Sequence, residues 1–131
     1  MGWYSGKVRE PVLEGVPVTL ADQAFIVAPF NIKRMRVTAP ARAVLREVGE
    51  GERQADSAEA IAAITEIAAV ALSANYPDVT ATLLEEHEAL RAADLSIVLE
   101  ALRKANGGDD AAGEAGAPAT GVSNAPATGV A

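Results

Sequence analysis

Val16-Pro17-Val18-Thr19-Leu20-Ala21-Asp22-Gln23-Ala24-Phe25-Ile26-Val27-Ala28 is the stretch on which the fold turns. Val16, Val18 and Leu20 alternate with Pro17 and Thr19, the two-residue period of a strand with one buried face. Phe25 to Ala28 supplies a second apolar run after the short break Ala21 to Ala24, and Pro29 closes it. The pattern predicts a β-hairpin. Two strands alone are marginal in water, so one face must be covered, and the downstream sequence offers only helices to cover it. The expected fold class is therefore α+β and mostly α: a small N-terminal β-hairpin packed on a bundle of about four helices.

Those helices follow from spacing and capping. Asn31 can accept a free backbone N–H in the first turn of a short helix over Ile32–Val37. Pro40 cannot sit inside that helix, so a second one begins near it, with Thr38 as the expected cap and Ala41, Val44, Leu45 and Val48 as the buried face. Gly49-Glu50-Gly51 stops it. Asp56 followed by Glu59 reads as a capping-box variant opening the next helix, whose stripe is Ile61, Ile64, Ala68, Ala71 and Leu72. Ile67 and Val70 lie off that line, which predicts a central helix wrapped on several sides. After Asn75-Tyr76-Pro77-Asp78, Thr80 or Thr82 can cap a segment holding Leu83, Leu84, His87 and Leu90. Asp94 is the expected cap of a last helix burying Leu95, Val98, Leu99 and Leu102, with Arg103 and Lys104 favourably placed in its final turn.

Outside these elements the chain is polar or of low complexity. Residues 1–10 read as an N-terminal lead-in, 11–106 as the hairpin plus helical domain, and 107–131 as a disordered tail. In that tail Ala-Pro-Ala-Thr-Gly-Val occurs at 117–122 and again at 125–130. With 18 acidic against 11 basic residues the net charge is -7, which opposes binding to nucleic acid. The absence of cysteine excludes disulfides, thiolate metal sites and cysteine nucleophiles. No stretch approaches the roughly 18 apolar residues of a membrane span, and the N-terminus lacks a signal-peptide core, so the expected location is the cytoplasm, without membrane contact.

Two constellations merit weighing. Glu85-Glu86-His87-Glu88 superficially resembles a metal or acid–base cluster, but neighbours on a helix diverge and His87 is the only histidine; a part-buried histidine on an acidic helix is the simpler reading. With no nucleophile, phosphate loop or base at motif spacing, the chain reads as a non-enzyme with no cofactor. Lys33, Arg34, Arg36, Arg42 and Arg46 form the one basic concentration, free of acids from Asp22 to Glu47. It can be a solvated face paired with glutamates of neighbouring helices, a docking surface for an acidic protein partner, or a phosphate contact.

Four pieces in order resemble the tail assembly chaperones of long-tailed bacteriophages and prophages. They are the hairpin Val16 to Ala28, the join Ala28-Pro29-Phe30-Asn31-Ile32-Lys33-Arg34, the turn Asn75-Tyr76-Pro77-Asp78-Val79-Thr80 and the helix Leu95 to Leu102. The resemblance covers roughly residues 11 to 106. It implies a protein of the host cytoplasm that binds the tape measure protein, keeps it soluble and promotes tail tube assembly around it, with the tail tube protein as a second partner and a homo-oligomer left open. Under it, Lys33, Arg34, Arg36 and Arg42 form the charged part of the docking surface, and Met35 is an adaptable apolar contact. Pro40 and the repeated tail depart from the family pattern. The rival readings are a head–tail connector or adaptor retained in the virion and a DNA-binding regulator.

Overall fold

A computed structural model describes residues 3 to 107. Its elements run β1 (Val16–Leu20), β2 (Gln23–Val27), α1 (Ile32–Val37), α2 (Ala39–Gly49), α3 (Ala58–Ser73), α4 (Ala81–Glu86) and α5 (Ala92–Ala105). The α+β, mostly helical class is thus observed, with five helices among the described residues. The tail expected to be disordered lies outside them, apart from Gly107.

The two strands pair antiparallel, Val16 opposite Val27 and Leu20 opposite Gln23, around a two-residue turn. Ala21 (φ 48°) and Asp22 (φ 69°) both sit in the left-handed region, as a type I′ turn demands. An alanine there is held against its steric preference. Replacing Ala21-Asp22 by Asn-Gly is therefore expected to stabilise the domain by about 1 kcal/mol, read as a higher midpoint in chemical denaturation. Just before β1, Gly15 lies so close to β2 that a Cβ would fall 1.9 Å from the Val27 carbonyl oxygen.

Alternation places Val18, Leu20, Phe25 and Val27 in the core. The outward backbone groups of Ile26 are both engaged by side chains from the α3–α4 connection. Ile26 donates its N–H to the Tyr76 hydroxyl (2.9 Å), and its carbonyl accepts from Asn75 Nδ2 (3.3 Å). Opposite Ile26, the register puts Pro17, which has no N–H to offer.

Helix α3 is the hub: it packs against α2, α4, α5 and β2, while α5 also covers β1. Ala60, Ala63, Ala68, Ala69 and Ala71 are buried along it, and these small side chains let neighbours approach on several sides. Ile67 and Leu72 carry most of the bulk. Ile61, expected in the stripe, is exposed, because Ala60 and Ala63 take the inward face of the first turns; Ile64 is half-buried. Val44, Leu45 and Leu99 pack on the core from its margin.

Three caps differ from expectation by position or chemistry. Ser57, not Asp56, starts α3: its backbone is extended (φ −67°, ψ 156°), and Oγ accepts the Ala60 N–H at 3.1 Å. Asp94 is one turn inside α5, where Oδ2 accepts the Arg91 N–H at 2.9 Å. Thr38 stands between α1 and α2 but makes no side-chain cap to α2. Its fully buried hydroxyl instead donates back to the Arg34 carbonyl at 2.8 Å. Asn31 and Thr80 do cap α1 and α4, accepting from the Arg34 and Leu83 amides.

The stretch read as a polar lead-in is part of the fold. Tyr4 is buried in the core and Trp3 packs against it. Trp3, Tyr4 and Tyr76 surround Phe25, with ring centroids 5.4, 6.2 and 4.9 Å from it. The Trp3 indole N–H donates to the Leu20 carbonyl (2.9 Å), and Gln23 Oε1 accepts the Tyr4 N–H (2.8 Å). Two aromatic rings compensate for the polarity of their neighbours because aromatic side chains bury so much area each.

The Tyr4 hydroxyl donates to the Lys7 carbonyl and accepts from the Asp78 N–H. Burial raises its pKa above the ordinary tyrosine value, with the negative charges of Asp78 and Tyr76 adding to the rise against the lowering bond from the Asp78 backbone. The folded state therefore holds this proton more tightly than the unfolded chain. Its contribution is complete below about pH 10 and is lost as pH rises from there through the folded pKa. Denaturation midpoints measured across that range are expected to fall, and Tyr4→Phe is expected to flatten the fall.

Candidate functional site

Helix α1 is the least buried element of the domain. None of its six residues is buried, and α2 is the element it chiefly packs against. Pro29 and the Asn31 cap launch the helix away from β2, and Thr38 and Pro40 end it before it can lie along the bundle. Its apolar side chains consequently face outward: Ile32 is 88% exposed, Val37 45% and Met35 41%. Ile32, Met35 and Arg36 share one side at helical spacing, while Lys33 shares the adjacent side with Val37. Cations and apolar groups are interleaved on a surface that the rest of the described chain covers only in part.

Among the described residues, Lys33, Arg34, Arg36 and Arg46 make no ion pair. Two glutamates of the neighbouring helices pair with Arg53 instead: Glu47 lies 2.6 Å from it and Glu59 lies 3.7 Å from the same guanidinium. The face is solvated, as one reading of the sequence had it, but among the described residues its cations are not paired with glutamates.

Arg42 plays a different part from its neighbours. Its Nη2 donates to the Met35 carbonyl (2.6 Å) and its Nε to the Thr38 hydroxyl (3.2 Å). It thereby clasps the C-terminal end of α1, where free carbonyls carry partial negative charge. Of the five residues singled out from sequence, Lys33, Arg34, Met35 and Arg36 are brought together on α1, and Arg42 fixes the α1–α2 corner.

Beside α1 lies a groove of about 430 Å³. Leu13, Ala28, Pro29 and Phe30 form apolar wall, and Arg9 and Arg34 contribute charge. Sequence reasoning missed Arg9, Phe30, Ile32 and Val37 as surface residues. The available signal was a six-residue helix too short to turn any apolar side chain consistently inward.

His87 stands just past α4, with its ring 4.6 Å from the Trp3 ring and Nδ1 accepting the Ala89 N–H at 3.2 Å. Among the described residues, no group of three or more acidic or histidine side chains is placed to hold a metal ion, and no helix is long and apolar enough to cross a membrane. No protein-family model matches this chain, and no match to it was found among curated proteins or solved structures.

Proposed function

We propose that this chain is a tail assembly chaperone of a long-tailed bacteriophage or prophage. It binds the tape measure protein reversibly in the host cytoplasm, keeps it soluble and promotes tail tube assembly around it. The observation that supports this reading is the exposed α1 surface, where Ile32, Met35 and Val37 stand among three cations that no described carboxylate neutralises. Such a surface suits a long helix carrying apolar residues at i, i+3 and i+4 with acidic residues beside them. The net charge of -7 keeps the rest of the molecule from associating with itself.

Co-expression with the tape measure protein encoded near the gene tests the proposal by pull-down and by the soluble fraction of that protein. Co-purification with a rise in soluble tape measure protein is expected. Neither binding nor rescue would overturn the proposal and turn attention to a connector, which mass spectrometry of purified particles would find in the virion.

A further inference from the structure

Two arginines face the groove beside α1 without a counter-charge. Arg9 and Arg34 both line it, and among the described residues neither makes an ion pair. Arg34 is half-buried, so part of its side chain is already out of water. Glu14 is the carboxylate on the wall, and it pairs with neither arginine. Leu13, Pro29 and Phe30 supply apolar surface beside the charges. A carboxylate brought against such walls is attracted more strongly than on an open surface, and a guanidinium can donate two parallel hydrogen bonds to it.

Both walls are fixed by side-chain amides before any ligand arrives. On one wall the Asn75 carbonyl accepts the Arg9 N–H at 2.7 Å. The Asn75 side chain holds Leu13 from both ends of its peptide group, accepting its N–H at 2.7 Å and donating to its carbonyl at 3.0 Å. On the other wall Asn106 Oδ1 accepts the Phe30 N–H at 2.8 Å, and Asn31 Oδ1 accepts the Arg34 N–H at 2.9 Å. Binding therefore requires little further ordering of this backbone, which is one of the main costs of recognition. At about 430 Å³ the groove has the size of a small-ligand site. It has room for a few side chains and not for the roughly 10–12 Å width of a helix.

We infer that this groove binds a short peptide segment of a partner protein in which acidic residues are flanked by apolar ones, the carboxylates against Arg34 and Arg9 and the apolar side chains against Pro29 and Phe30. Charge complementarity and the lining together decide the occupant. A nucleic acid strand would leave the apolar wall unused and would bring its phosphates past Glu14 to a molecule of net charge -7. The inference goes beyond the α1 surface: it names a second contact of different chemistry, and it holds whichever protein supplies the segment.

Titration of the isotope-labelled full-length protein with the blocked peptide Leu-Asp-Leu-Asp-Leu tests it by nuclear magnetic resonance. Saturable shifts of the Leu13, Phe30 and Arg34 amide signals are expected, with a dissociation constant on the order of 1 mM or below. Replacing both Asp of the peptide by Asn should weaken binding at least about fivefold, and combining Arg9→Gln with Arg34→Gln in the protein should do the same. Replacing each Leu of the peptide by Ser should also weaken it at least about fivefold. Glu14→Gln should tighten binding about twofold, a gain that a misfolded variant does not mimic. Single-stranded oligothymidylate and inorganic phosphate should bind at these amides more weakly than the peptide.

Equal binding of the Asn-containing peptide would overturn the inference, since the guanidinium groups would then recognise nothing in it. So would the absence of saturable shifts at these three amides with about 10 mM peptide, or affinity unchanged by the double arginine variant. Oligothymidylate or phosphate binding as tightly as the peptide would overturn the choice of occupant and make the groove a phosphate site. The pull-down of tape measure protein is a separate readout: its failure leaves the peptide result standing, and failure of the peptide titration leaves the α1 surface to be judged by the pull-down.

Discussion

Combining Ile32→Ser with Lys33→Glu and Arg36→Glu is expected, under the proposed function, to weaken capture of the tape measure protein by at least about 100-fold, because the variant removes an apolar anchor and reverses two steering charges together. The domain itself should scarcely notice. Ile32 is 88% exposed and α1 has no buried residue, so the change in unfolding free energy should stay within about 0.5 kcal/mol per substitution. Binding measured by titration and stability measured by denaturation on the same samples separate the two effects. Retained binding would sink the assignment of α1 as the docking surface. A large loss of stability would show that α1 is not the independent projection described above. Arg42 is excluded from this variant because its guanidinium clasps α1, so replacing it would mix a change of surface with a change of shape.

Asn75→Ala should produce the largest stability loss of any single substitution considered, about 3 kcal/mol. Asn75 is fully buried and its side chain joins three parts of the chain. Its Oδ1 accepts the Leu13 N–H (2.7 Å), and Nδ2 donates to the carbonyls of Leu13 (3.0 Å) and Ile26 (3.3 Å). Its own carbonyl accepts the Arg9 N–H at 2.7 Å. Truncation leaves polar groups without partners where water enters poorly, and each such group costs about 1–3 kcal/mol. It also releases the segment that carries Arg9 and Leu13 to the groove. Denaturation should therefore show the loss of stability, and amide exchange should accelerate at Leu13 before it does in α3. A loss below about 1 kcal/mol would mean that water replaces the amide without difficulty.

What the sequence made legible was whatever depends on near neighbours. Alternation identified the hairpin, Asn31 identified one helix start and the choice of Thr80 or Thr82 bracketed another, and Pro40 separated α1 from α2, because each effect acts within one turn or one strand. The errors have the same origin seen from the other side. Asp56 and Ser57 are both good caps, and one residue of shift in where α3 begins decides between them. Ile61 faces outward because the inward face of the first turns of α3 goes to Ala60 and Ala63, a choice made by packing against distant elements. Trp3 and Tyr4 were concealed by polar neighbours, since their burial depends on Phe25 and Tyr76, residues distant in sequence. Asn75 looked like a turn residue, and nothing local reveals that its amide spans Leu13 and Ile26. For the candidate surface, charge was readable and exposure was not. Lys33, Arg34 and Arg36 stood out by composition, whereas the outward position of Ile32 follows only from how little of α1 touches the bundle.

Pro17 and the pair Asn75–Tyr76 bear on what this protein can do in company. A two-stranded sheet ordinarily offers both margins as templates on which further chains can be stitched, and a molecule that handles a self-associating client runs the risk of becoming a seed for it. Here one margin is bolted by side chains of the α3–α4 connection, which a third strand would have to evict. The other presents a ring where the ladder needs a donor. Were the proposed function to hold, contact with a client would thereby be steered away from main-chain zippering and toward side-chain contacts, which can be undone when assembly of the client is complete.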